Sequence, residues 1–296
     1  MQGFAAFSPL ISVAQLQSAS AQSDGSLVIL DASFDLADEY AGQAAYQQSH
    51  LPGALYAHLT QHLSGPKHDS AGRFRGRHPL PERAVWVQQV GKWGITVDST
   101  VVVYDRQGGI FAARLWWLMR WLGHSRVAVL DGGFQAWQQA QAPIDTTLQM
   151  PLPVVSAYST ERPSLVKTVD ADQLQNSLLE RVVLDARAPE RYCGEVEPLD
   201  AVAGHIPGAV NRFYKLNLTP QGLFKTPETL RHEFLALASD AQWRETVHQC
   251  GSGVTACHNL LALEAAGLGG GALYPGSWSE WCSNQPLRPM TRGAKP

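Results

Sequence analysis

The chain alternates short apolar runs with longer segments of helix-forming residues. Leu27–Asp31, Val101–Tyr104 and Val127–Leu130 are valine-rich runs without polar alternation. Such runs predict strands buried on both faces, the habit of a parallel sheet. Ala112–Leu122 and Thr255–Ala266 are longer, and each stops at a glycine, Gly123 and Gly267. They read as helices ended by a residue free to leave helical geometry. The alternation predicts an α/β fold with helices on both faces of a parallel sheet. In such sheets ligands bind beyond the carboxyl ends of the strands, so chemistry is sought where a strand feeds a helix.

The pattern occurs twice. Val28-Ile29-Leu30-Asp31-Ala32 matches Val182-Val183-Leu184-Asp185-Ala186 at an offset of 154. His50-Leu51-Pro52-Gly53-Ala54 matches His205-Ile206-Pro207-Gly208-Ala209 at an offset of 155. Asp105 to Trp137 matches Gln249 to Trp281 without a gap at 144, keeping Gly109/Gly253, Gly132/Gly276 and Trp137/Trp281. A period this long means domain duplication rather than a solenoid. The length of 296 residues agrees, at roughly 150 per domain. The expected division is a first copy over 1–138, a linker over 139–164 and a second copy over 165–296. The linker contains Pro143, Pro151, Pro153 and Pro163 and is expected to run over the surface of a domain.

Composition narrows the classes. There are 23 Lys+Arg against 26 Asp+Glu, a net charge of −3, which gives no basic footprint for nucleic acid. No apolar run approaches the ~20 residues of a membrane span. The start, MQGFAAFSPLISVAQL, lacks the basic opening of a secretory signal. The four cysteines, Cys193, Cys250, Cys257 and Cys282, have no CxxC spacing and suggest no disulfide framework. A reducing, cytoplasmic setting is expected.

One turn carries the chemistry. Cys250-Gly251-Ser252-Gly253-Val254-Thr255 follows the strand-like Glu245–Gln249 and opens the helix from Thr255. Two glycines let backbone N–H groups converge, and the helix adds the positive end of its dipole. Such a cradle favours the charged form of a sulfur, which is the nucleophile. The competing reading is a buried structural cysteine.

With the two His-(Leu/Ile)-Pro-Gly-Ala blocks and the closing Gly276-Ser277-Trp278-Ser279-Glu280-Trp281, this loop resembles the tandem rhodanese family of thiosulfate and 3-mercaptopyruvate sulfurtransferases. The resemblance runs from about Leu10 to Trp281. It implies two tandem rhodanese-like domains, each a parallel sheet with helices on both faces. It implies that Cys250 carries a sulfane sulfur as a persulfide, with no other cofactor and no metal. The N–H groups from Gly251 through Gly253 and Val254 to Thr255 would stabilise that sulfur. The implied partners are a small anionic sulfur donor and a cyanide, small-thiol or protein-thiol acceptor.

The gap-free alignment sets Arg106 opposite Cys250. An arginine cannot carry sulfur, so the first copy is expected to be non-catalytic and to wall a cleft. An anionic donor needs a cation near the thiolate. In similar enzymes the arginine before the aromatic, here Arg191, holds the anion; Arg187 is the weaker candidate, with a solvated loop arginine as the competing reading. The mercaptopyruvate members resemble this chain in a serine–histidine set, matched by Ser252 and His78. Their aspartate is replaced by Thr60 in a rough alignment, and their second arginine by Leu199. Asp31 and Asp185, His50 and His205, and Trp137 and Trp281 recur in both copies and are expected to be structural. Cys257 is expected to pack, and Cys193 is a candidate resolving thiol.

A cysteine phosphatase or arsenate reductase would place an arginine six residues after the cysteine, where this chain has Ala256. A non-enzymatic anion-binding module suits the first copy but leaves Cys250 without a purpose.

Overall fold

The computed structural model describes residues 8–23, 25–150, 153, 158–238, 242–283 and 287–295. Pro151 and the first seven residues lie outside the described set. The chain forms two compact units. Unit 1 holds the described residues up to Leu63, Pro81–Leu165 and Pro220–Leu223; unit 2 holds those of Ser64–Leu80, Val166–Thr219 and Phe224 onward.

In unit 1 the strands are β1 (Leu10–Ile11), β2 (Leu27–Asp31), β3 (Leu55–Tyr56), β4 (Thr100–Tyr104) and β5 (Val127–Leu130). The helices are α1 (Val13–Gln22), α2 (Ala41–Gln48), α3 (Arg83–Lys92), α4 (Ile110–Trp121) and α5 (Gly133–Gln139). The sheet runs β1-β5-β4-β2-β3, with parallel pairing throughout. In unit 2 the strands are β6 (Lys167–Thr168), β7 (Val183–Asp185), β8 (Ala209–Asn211), β9 (Val247–Gln249) and β10 (Ala272–Leu273). The helices are α6 (Ala171–Asn176), α7 (Pro189–Tyr192), α8 (Pro227–Leu235), α9 (Thr255–Ala265) and α10 (Ser277–Trp281). Its sheet, β6-β10-β9-β7-β8, repeats the first order and is also parallel.

The valine runs of β4 and β5 are buried nearly end to end, as strands covered on both faces must be. The strand expected over Glu245–Gln249 begins later, at Val247, because Trp243–Glu245 forms a 3₁₀ turn. The described parts of 139–164 stay with unit 1: His50 and Asp145 bond backbone to backbone, and Leu165 donates to the Arg120 carbonyl.

Strand register decides which residues of the two copies correspond. Asp31 pairs with Tyr104, and Asp185 with Gln249. Ala32 donates to the Tyr104 carbonyl at 2.8 Å and Ala186 to that of Gln249 at 2.9 Å. Tyr104 and Gln249 therefore end equivalent strands, and the next residues, Asp105 and Cys250, correspond. Their carbonyls accept equivalent N–H groups, from Phe134 at 2.9 Å and Trp278 at 3.0 Å. Gly108 and Gly253 share a left-handed φ of 76° and 75°. This corrects the expectation that Arg106 faces Cys250. The helix after the turn has 12 residues in unit 1 and 11 in unit 2. The offset thus drops by one along that helix, and the glycine and tryptophan matches beyond it had fixed the gap-free alignment.

Candidate active site

Cys250 sits just past the end of β9 and is 2% exposed. Its backbone is clamped by the segment leading into α10. Ser277 Oγ accepts the Cys250 N–H at 3.1 Å, Trp278 donates to the Cys250 carbonyl at 3.0 Å, and Ser279 donates to that of Gly251 at 3.0 Å. Ser277 adopts a left-handed φ of 53°, and its hydroxyl donates to the Tyr274 carbonyl. At Gly253 a Cβ would lie 2.4 Å from the Pro275 carbonyl oxygen, so only glycine fits.

The loop N–H groups of Ser252, Val254 and Ala256 find no acceptor among the described residues. In unit 1 the same turn shows what such groups bind. The Asp105 carboxylate accepts N–H bonds from Gln107, Gly109, Phe111 and Ala112 at 2.8–3.0 Å. Burial raises its carboxyl above the usual carboxylate range, and the four N–H groups oppose that shift. By register, Gln107, Gly109 and Phe111 correspond to Ser252, Val254 and Ala256. In unit 1 the turn is an anion cradle filled by the chain's own carboxylate, and the turn of unit 2 shares its register.

Unit 2 also gathers the segment Ser64–Leu80. Gly76, at a left-handed φ of 98°, passes so close to Gly276 that a Cβ would come 2.7 Å from its carbonyl oxygen. The next residue, Arg77, donates its backbone N–H to Ser279 Oγ at 3.1 Å. His78 then places Nδ1 2.9 Å from Ser252 Oγ, and both residues are buried. The predicted serine–histidine pair is thus brought together. Thr60 belongs to unit 1, and its N–H bonds to His58 Nδ1.

Three arginines and three carboxylates form an alternating chain beside the loop. Asp185 holds Arg187, which reaches Glu197 at 3.5 Å; Glu197 holds Arg191 at 2.6 Å; Arg191 reaches Asp200 at 3.2 Å; and Asp200 pairs with Arg77. Arg187 is not a solvated loop residue. It is 3% exposed, bonded to the Gly204 carbonyl and stacked over Trp278. Burial works to lower its pKa; Asp185, Glu197 and Cys250 outweigh this and hold it above the ordinary value. Desolvation raises the Asp200 carboxyl despite Arg77 and Arg191. A Cβ on Gly251 would lie 2.7 Å from Arg77 Nη2 and 3.4–3.5 Å from the Arg191 terminal nitrogens. Both guanidinium groups therefore rest against the residue after Cys250.

Sequence reasoning missed Arg77 and Asp200. The signal for Arg77 was its place beside His78, after a glycine; Asp200 gave none. The recurring residues are structural. Asp31 and Asp185 accept the N–H two residues on, and His50 and His205 bond the Tyr46 and Tyr192 carbonyls while stacking on those rings. Trp137 and Trp281 are buried and donate to proline carbonyls. Cys257 Sγ bonds the Gly253 carbonyl, and half-buried Cys193 packs at the edge of the core.

A family profile described as Rhodanese-like domain matches residues 13–140 and 169–284. The chain is 43% identical over 287 residues to a Pseudomonas aeruginosa protein named "Probable 3-mercaptopyruvate sulfurtransferase", covering 94% of this chain and 96% of that one. It is 36% identical over 274 residues to the thiosulfate sulfurtransferase of Rattus norvegicus, covering 90% and 88%. Among solved structures it resembles 3-mercaptopyruvate sulfurtransferase from Leishmania major, with a TM-score of 0.81 and 28% identity over 94% of this chain and 75% of that one. Two matched domains, two parallel sheets in one order and a cysteine at the cradle of the second agree: the chain belongs to the rhodanese family.

Proposed function

We propose that the protein is a sulfurtransferase that takes a sulfane sulfur from 3-mercaptopyruvate, in preference to thiosulfate, and passes it through a Cys250 persulfide to cyanide or a thiol. The observation that carries this reading is the cradle. Its unit 1 counterpart holds a carboxylate on four N–H groups, and in unit 2 a cysteine stands at that position. The names of the P. aeruginosa and rat relatives support sulfur transfer and between them mention both donors.

In the first half-reaction the Cys250 thiolate attacks the donor sulfur. The sulfur–carbon bond of mercaptopyruvate breaks, its electron pair leaves on carbon as the pyruvate enolate, and the donor's thiol proton moves to that carbon. The loop N–H groups take the charge of the persulfide. Ser252, bonded to His78, is placed to relay the proton, and Arg191 holds the donor carboxylate. In the second half-reaction cyanide or a thiolate attacks the outer sulfur, the sulfur–sulfur bond breaks and the Cys250 thiolate returns. No cofactor is drawn on. A phosphatase reading is not favoured, because Ala256 offers no cation at the sixth position.

The test is intact mass after incubation with each donor. One added sulfur on the wild type, removable by cyanide and absent in Cys250→Ala, is the expected result. Sulfur loading that survives Cys250→Ala overturns the assignment.

A further inference from the structure

One side chain ties the cysteine loop to the segment that delivers His78. Ser279 lies on α10 in unit 2 and is 3% exposed. Its hydroxyl donates to the Gly276 carbonyl at 3.0 Å and accepts the Arg77 N–H at 3.1 Å, so both of its directions are fixed. Its own backbone N–H holds the Gly251 carbonyl at 3.0 Å. Gly76 rests on the same group: a Cβ there would lie 3.1 Å from Ser279 Oγ and 2.7 Å from the Gly276 carbonyl oxygen. Gly251 directly precedes Ser252, and Arg77 directly precedes His78. Ser279 therefore anchors the neighbour of each member of the serine–histidine pair. The contact of 2.9 Å between Ser252 Oγ and His78 Nδ1 closes a ring through this serine.

Unit 1 is built differently at this point. Phe134 corresponds to Trp278, since each donates to the carbonyl at the head of its turn. Gln135 therefore stands where Ser279 does, and it is exposed. Gly132, the counterpart of Gly276, meets an alkyl group: a Cβ there would lie 2.7 Å from Leu223 Cδ2. The turn filled by a carboxylate is packed by a leucine, whereas the turn headed by a cysteine is pinned by a hydroxyl. A hydrogen bond fixes direction as well as separation, which apolar contact does not.

We infer that Ser279 is a positioning residue for the donor half-reaction: its hydroxyl sets the backbone that enters His78, so that the imidazole meets Ser252. The inference rests on the reading of Ser252 and His78 as the proton relay for mercaptopyruvate. Such a relay works only within hydrogen-bond reach, about 2.6–3.2 Å. A displacement of about 1 Å at the Arg77 backbone is enough to open it and can cost up to about 10²-fold in rate.

The experiment compares wild type, Ser279→Ala, His78→Gln and the double variant, each with 3-mercaptopyruvate and with thiosulfate. A crystal structure of Ser279→Ala accompanies the kinetics. Ser279→Ala should lower kcat for mercaptopyruvate by about tenfold or more, with KM within about twofold and thiosulfate turnover near the wild-type rate. In the His78→Gln background the same change should cost less than about twofold, because a residue that acts through His78 has nothing left to position. The variant's crystal structure should show His78 Nδ1 beyond about 3.5 Å from Ser252 Oγ. An equal loss with both donors would make Ser279 a support of the whole loop and overturn the inference. Full additivity with His78→Gln would overturn it too, as would an unchanged Ser252–His78 contact in the variant. If Ser252→Ala itself slows both donors alike, the relay reading fails instead, and the crystal structure of Ser279→Ala still decides whether Ser279 places His78.

Discussion

Asp105 and Cys250 stand at the same position at the ends of equivalent strands, one offering a carboxylate to the turn that follows, the other a thiol. On the proposed function, the first copy carries no sulfur because its cradle is already filled, not because an arginine blocks it. Arg106 points elsewhere: it lies 3.5 Å over the Phe134 ring and donates to the Ala45 and Ser49 carbonyls. Arg106→Cys should therefore add no transferable sulfur, and labile sulfur should stay at one per chain. It should cost about 1–2 kcal/mol in stability from the lost ring contact and hydrogen bonds. Two labile sulfurs in that variant would refute the filled cradle.

Removing the filling group has the larger effect. Asp105→Ala leaves four N–H groups without their acceptor, three of them in buried hydrogen bonds, and should destabilise unit 1 by about 3 kcal/mol or more in denaturant titration. A shift below about 1 kcal/mol would mean that the turn satisfies itself in another way.

The two glycines of the cysteine loop should separate by mechanism. In Gly251→Ala the new Cβ meets Arg77 Nη2 at 2.7 Å, the far end of a flexible side chain. The fold should survive while donor KM rises by about tenfold, the scale of one disturbed charge-assisted contact. In Gly253→Ala the Cβ meets the Pro275 carbonyl at 2.4 Å and φ is +75°, so the backbone itself must move. That variant should lose both stability and kcat. Equal effects of the two substitutions on KM and melting would contradict the distinction.

What the sequence made legible is local. Cys250, Ser252 and Gly253 are contiguous, and the valine runs of β2, β4 and β5 announce a parallel sheet by their burial. Asp200 pairs with Arg77 across 123 positions, a contact made by tertiary packing with no periodicity to betray it. The one-residue slip between the copies was hidden for another reason. It falls within helices whose apolar residues match in more than one register, whereas the hydrogen-bond ladder of the strands admits one.

Stability should fall on the acid side of neutrality. Burial lowers His124 to about 4 and His248 to about 3. Each is neutral in the folded protein but takes a proton near pH 6.5 once unfolded. Stability is thus complete above about pH 6.5 and declines as pH drops towards the folded values, by roughly 3 kcal/mol for His124 and roughly 5 kcal/mol for His248 once both are protonated. Replacing His248, which lies wholly within β9, by leucine should flatten this slope in urea titrations from pH 7 to 4. An unchanged slope would assign the acid loss to carboxylates.

Donor choice turns on the leaving group. Mercaptopyruvate departs as an enolate that must be protonated at carbon, whereas thiosulfate departs as sulfite, already stable. The Ser252–His78 pair, at 2.9 Å, meets the first need, and the loop from Cys250 to Thr255 carries no lysine or arginine of its own to favour the second. Wild-type kcat/KM should be higher for mercaptopyruvate. Ser252→Ala should lower kcat for that donor by about 10²-fold, the scale of a lost proton relay, and leave thiosulfate nearly unchanged. Ser252→Lys should move preference toward thiosulfate by adding charge beside Cys250. If thiosulfate is the better donor of the wild type, or if Ser252→Ala slows both donors equally, the pair serves the loop's shape rather than the proton. Sulfur transfer through Cys250 would then stand without this account of its specificity.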